Sequence, residues 1–133
     1  MSTEANYQAT IEESSMELTA RDRIKFKDTQ NAISILDMAK DAQNQGAKAV
    51  IDNIKGYVVL AIHNEKSDDV DYKNYVIVDE AGNKYVTGSR SFMNAFMDIY
   101  NEMKNESEAW SIELNLLPSK NYKDKEILTC SLV

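Results

Sequence analysis

Hydrophobic and polar positions along the chain alternate with periods that predict a mostly β domain. Residues 56–63 (Gly-Tyr-Val-Val-Leu-Ala-Ile-His) are apolar and β-branched, the pattern of a central strand. Within it Tyr57 is out of phase with Val58, Leu60 and Ile62. After a polar stretch at 64–71, residues 72–79 read as a second strand, 80–83 as a tight turn and 84–87 as a third strand. The spacing of Phe92, Phe96, Ile99 and Met103 then predicts a helix running to Lys104, with Ser89 as its N-cap. From Trp110 the period returns to two. Trp110, Ile112, Leu114 and Leu116 share one face, and Ser111, Glu113 and Asn115 the other. Residues 118–125 read as a loop. Residues 126–133 read as a fifth strand with Leu128, Cys130 and Leu132 in phase.

Upstream, Ile33, Leu36, Ala39 and Ala42 recur at helical spacing within 30–45, and Gly46 stops that helix. The Ile33-Ser34-Ile35 alternation leaves a strand open at its start. Residues 21–27 place Arg21, Arg23, Lys25 and Lys27 at every second position. Read as a strand, they form one basic face, with Ile24 and Phe26 on the other. The expected fold is therefore mainly β with helices. A short basic strand and a short helix precede a five-stranded OB-fold-like barrel with one helix between its third and fourth strands. Such barrels bind oligonucleotides on the face of strands two and three and through the loops joining strands 1-2 and 4-5.

Composition narrows the function. A chain of 133 residues is one domain, read here as an acidic, flexible leader at 1–20 and an OB-fold domain at 21–133. One cysteine makes no internal disulfide, and one cysteine with one histidine builds no structural zinc site. Any Ser-His or Cys-His chemistry must use His63. The glycines are scattered and form no phosphate loop. Glu65, Asp68, Asp69 and Asp71 cluster without the glycine and terminal glutamate of a calcium loop. No cofactor, metal or catalytic residue is therefore expected. No apolar run approaches a membrane span and the N-terminus lacks a signal-peptide pattern, so a cytoplasmic location is expected.

Net charge is −7, which argues against nucleic acid until it is resolved along the chain. Glu4, Glu12, Glu13 and Glu17 stand in 1–20 without a single Lys or Arg, which leaves 15 basic against 18 acidic residues in 21–133. Two segments reverse sign: 21–27, and 119–125 with Lys120, Lys123 and Lys125 around Tyr122. Single-strand binders need cations that track phosphates and aromatic faces that stack bases. The candidate DNA-binding residues are Arg23, Lys25 and Lys27; Tyr57; Lys73, Tyr75, Lys84 and Tyr85 of the second and third strands; Arg90; and Lys120, Tyr122, Lys123 and Lys125. Trp110 shares the apolar phase of its strand and is expected in the core, with base stacking open as the alternative.

The runs at 71–92 (Asp-Tyr-Lys-Asn-Tyr-Val-Ile-Val-Asp-Glu-Ala-Gly-Asn-Lys-Tyr-Val-Thr-Gly-Ser-Arg-Ser-Phe) and 118–131 (Pro-Ser-Lys-Asn-Tyr-Lys-Asp-Lys-Glu-Ile-Leu-Thr-Cys-Ser) resemble those of small single-stranded-DNA-binding proteins. These are proteins of phages and conjugative plasmids of Gram-positive bacteria. The resemblance spans roughly 55–133. It implies an OB-fold, no cofactor, sequence-tolerant binding of single-stranded DNA and a role in replication or transfer of a mobile element. The leader is then a candidate arm for self-association along the strand. Two other readings remain open. One is an acidic protein–protein module or DNA-mimic inhibitor, motivated by the net charge and by Asp98, Glu102, Glu106 and Glu108. The other is a metal-dependent nuclease using the carboxylates at 68–71.

Overall fold

Two periodicities, two for strands and 3.6 for helices, build eight strands and three helices among the described residues. A computed structural model describes residues 6–119 and 125–133. In chain order the elements are β1 (Tyr7–Ser14), α1 (Ala20–Lys27), β2 (Ile33–Ser34), α2 (Ile35–Asn44), β3 (Ala49–Ile51), β4 (Ile54–Asn64), β5 (Asp71–Asp79), β6 (Lys84–Thr87), α3 (Arg90–Met103), β7 (Ile112–Pro118) and β8 (Glu126–Leu132). They form a five-stranded sheet in the order β1-β4-β5-β6-β2 and a three-stranded sheet in the order β3-β7-β8. Among the described residues β2–β6 is the one parallel pair. Among the described residues no helix is long and apolar enough to cross a membrane.

One chain path feeds both sheets. β3 pairs with β7, and two residues later β4 begins its pairing with β1 and β5. The turn between them is made by Asn53, whose φ of 52° is in the left-handed region that asparagine tolerates. The Ser111 hydroxyl accepts the Asn53 N–H at 3.0 Å, and the Asn53 carbonyl accepts the Glu80 N–H at 2.8 Å. The sheets do not close into a barrel. β6 and β8 are unpaired with each other, and an open seam between them is lined by Thr87, Gly88, Ile127 and Leu128. Ser91 at the start of α3 reaches across it to donate to the Leu128 carbonyl at 2.8 Å.

The five-stranded sheet buries apolar residues on both faces, which is why β4 is apolar from Tyr57 to Ile62. Tyr57, Val59 and Ile77 face the main core with Phe92 and Phe96 of α3, Ile35 of α2, and Ile112 and Leu128 of the second sheet. Val58, Leu60, Ile62, Val76 and Val78 face a second cluster, covered by Ala9, Ile11, Met16 and Phe26. Gly56 lies so close to Ser15 and Met16 that a Cβ there would collide with them. Residues 14–16 can therefore pack flat on the sheet.

Three expectations are corrected. Residues 7–14, expected in a flexible leader, form edge strand β1, with Ala9 and Ile11 on the second cluster. Three apolar positions in eight, one of them alanine, were too weak a signal. Residues 21–27 are not a strand but helix α1. Thr19 and Asp22 form a reciprocal capping box, each backbone N–H donating to the other's side chain at 3.1 Å. Arg and Lys are also good helix formers, and the Lys84 ammonium caps the far end by donating to the carbonyls of Lys25 (2.6 Å) and Asp28 (2.7 Å). The helix expected over 30–45 begins at Ile35, after a two-residue strand. Strand β3 carried too short an apolar run to be read.

Asp79 closes the β5–β6 turn. It accepts the Asn83 backbone N–H (2.8 Å), the Asn83 side-chain amide (3.0 Å) and the Tyr85 hydroxyl (2.8 Å). Burial pushes its pKa up, but these bonds outweigh burial and hold it below the ordinary value. A lowered folded pKa contributes stability above the unfolded value of about 4, lost as pH falls through the folded value. Thermal unfolding is expected to show the wild type losing stability on acidification below about pH 4, with Asp79→Asn less stable at pH 7 and flatter over the acid range. A variant with the wild-type acid profile would remove Asp79 from that role.

Candidate nucleic-acid interface

Helix α1 is the most basic element among the described residues, and its cations follow from helical spacing. Arg21 and Lys25 share one stripe, and Arg23 and Lys27 another, each pair four residues apart. Ile24 stands between the stripes, 71% exposed, while Phe26 on the opposite side packs on the second cluster. All four cations are exposed, and among the described residues none is in an ion pair. Helix α1 is thus seated through Phe26 on the outer face of β4 and β5 and presents its cations to solvent. Lys84 stands beneath the helix, holding its C-terminal carbonyls.

The structure divides the remaining candidates. Lys73, Tyr75 and Arg90 come together on the opposite face of the sheet, around a groove of about 290 Å³ between β1, β5 and α3. Glu12 and Glu13 line the same groove, and Lys73 pairs with Glu12 at 3.0 Å. This groove is close to neutral. Tyr57 is corrected as a stacking residue and Tyr85 as a DNA-binding one, because a base needs an open ring face and both are buried, at 6% and 8% exposure. Tyr57 packs edge-on against Tyr100 (centroids 5.1 Å apart) and donates its hydroxyl to Glu13. Burial and that carboxylate push its pKa up to about 12. Tyr85 donates to Asp79, and burial with that bond likewise raises it to about 12. Lys125 is exposed, and Lys120, Tyr122 and Lys123 lie outside the described residues.

The acidic β4–β5 hairpin carries the only histidine of the chain. The His63 Nδ1 lies 2.7 Å from an Asp71 carboxylate oxygen and the Nε2 3.6 Å from Glu65. The bond to Asp71 first, and that to Glu65 second, raise its pKa. Among the described residues no three His, Cys, Asp or Glu side chains converge as metal ligands. Cys130 is buried, which pushes its thiol up to about 12 and leaves it a poor nucleophile at neutral pH.

One feature escaped the sequence reading, and another was left open by it. Lys55, at the irregularity where β4 meets β5, stands near α1 and helps lower the Asp22 carboxyl, whose pKa is depressed mainly by its bonds to Thr19. Trp110, placed in the core by its phase, is only partly buried and borders a cleft beside Lys55. Period-two patterning marks which face a residue takes, not whether the last residue on that face is covered. Comparison with protein-family models, with curated proteins and with solved structures found no match.

Proposed function

We propose that this chain is a non-enzymatic binding domain for single-stranded DNA, built as a partly open OB-like barrel and serving replication or transfer of a mobile element. One observation carries the reading: four exposed cations of α1, without ion-pair partners among the described residues, laid over the sheet face formed by β4 and β5. Further support comes from the element order. β3 and β4 together act as one bent first strand shared by both sheets, β5 and β6 follow, α3 stands before β7 and β8, and the open seam falls between β6 and β8. The mobile-element context rests on the resemblance at 71–92 and 118–131.

In this mechanism Arg21, Arg23, Lys25 and Lys27 neutralise phosphates and release their counterions. Backbone contact of this kind is sequence-tolerant, because phosphates carry no base information. β1 is an edge of the five-stranded sheet, the surface through which copies on one strand would align. Titration of a labelled oligo-dT at several salt concentrations tests the reading. The logarithm of affinity is expected to fall linearly with the logarithm of salt, by about 0.7 per phosphate contacted. No binding at low salt, or binding independent of salt, would overturn it. A protein-binding module is the second reading, favoured by exposed Asp98 and Glu102 on α3 and by the acidic hairpin tip. Recovery of a partner protein without any oligonucleotide binding would select it.

A further inference from the structure

Beyond α1, the β4 end of the molecule holds a cleft of about 280 Å³ beside the C-terminal end of α3. Its aromatic wall is Trp110 and Tyr100, ring centroids 6.4 Å apart, and Trp110 is braced from the core side by Phe96 at 6.2 Å. Lys55 and Lys104 border it, and so do the carboxylates of Glu80, Glu106 and Glu108. Neither the Trp110 indole N–H nor the Tyr100 hydroxyl bonds to another described residue. No buried polar side-chain atom among them lacks a partner, so both donors open on solvent. Lys55, which borders the cleft, is also one of the cations that favour the charged form of Asp22 in α1.

We infer that this cleft takes one nucleobase of the bound strand, stacked on Trp110 with an edge toward Tyr100, whose ring is inclined 57° to the indole, and that it prefers a base carrying an exocyclic amino group. The inference rests on the single-stranded-DNA reading above. A base offers a π face to the aromatic wall and ring acceptors to the indole and phenol donors. The three carboxylates are acceptors only, so they reward the amino groups of cytosine and adenine. Thymine has carbonyl oxygens at its exocyclic positions and offers those carboxylates only its single N3–H, so it matches them less well. Lys55 and Lys104 are placed to meet the flanking phosphates as point charges.

Trp110 is the single tryptophan, so its emission reports on this cleft alone. The full chain is titrated with oligo-dC, oligo-dT and an abasic oligonucleotide of equal length. Anisotropy of a label on each oligonucleotide measures total binding in parallel. Oligo-dC is expected to quench Trp110 most, oligo-dT less and the abasic strand not at all. The abasic strand is expected to bind about 5- to 150-fold more weakly than oligo-dC, the range that ~1–3 kcal/mol of base stacking corresponds to. Glu106→Gln with Glu108→Gln, both at exposed positions, is expected to reduce the preference for dC over dT while leaving the fold intact. Unchanged emission while anisotropy still reports binding would overturn the inference and leave the binding reading standing. Equal quenching by dC and dT, or quenching by the abasic strand, would overturn it as well. Absence of any anisotropy change would instead sink the binding reading itself. Quenching by a lysine-rich peptide but by no oligonucleotide would assign the cleft to a cationic protein partner and overturn the inference.

Discussion

Phe96→Ala is expected to cost about 3–5 kcal/mol of folding stability, a large part of the ~5–15 kcal/mol that holds a domain of this size. Phe96 has no exposed surface. Its ring lies 6.0 Å from Tyr57 in an edge-on contact, 6.2 Å and 6.0 Å from Phe92 and Tyr100 in stacked ones, and 6.2 Å from Trp110. Removing it loses the transfer energy of the ring and the contacts of four aromatic neighbours. Those neighbours are held by α3, β4 and the segment before β7, so the hole cannot close by a shift of one side chain. Urea denaturation checks this: the midpoint should fall sharply with the slope unchanged. A loss below about 1 kcal/mol would mean that the surroundings collapse into the space, contrary to the packing described.

Simultaneous replacement of Arg21, Arg23, Lys25 and Lys27 by alanine is expected to alter binding rather than folding. Each phosphate contact removed should flatten the salt dependence by about 0.7, so four contacts amount to about 2.8. Between 50 mM and 200 mM salt the wild type should then lose about 50-fold more affinity than the variant. All four side chains are exposed, and alanine is the best helix former, so α1 should persist with Phe26 still seated. An unchanged denaturation midpoint beside a flattened slope is the expected pair of results. A full wild-type slope in a folded variant would show that the phosphates are met elsewhere on the molecule.

Much of the fold was legible because burial imposes a period. The strands read at 56–63, 72–79, 84–87 and 126–133, and the helix capped by Ser89, coincide with β4, β5, β6, β8 and α3 within a few residues. The strand read at 110–116 starts two residues later, at Ile112. The candidate site was less legible. Alternating Arg and Lys at 21–27 satisfies a strand and also two helical stripes, and the Thr19–Asp22 capping box together with the Lys84 cap at the far end selects the helix. Tyr57 was out of phase with its apolar neighbours and Tyr85 sat in the candidate hairpin, yet α3 and Asp79 claim them for the interior.

By itself, then, the sequence determined the element types, the apolar faces and the segments that carry cations, because each depends on neighbours a few residues apart. The tertiary structure alone decided which faces are covered. It laid α1 over the outer face of β4 and β5, drew Glu13 onto Tyr57, placed Lys73, Tyr75 and Arg90 away from the α1 cations, and left Trp110 bordering a cleft. Those outcomes depend on contacts between residues tens of positions apart, where the free energy of burial is shared by several elements and no local pattern records which of them meet.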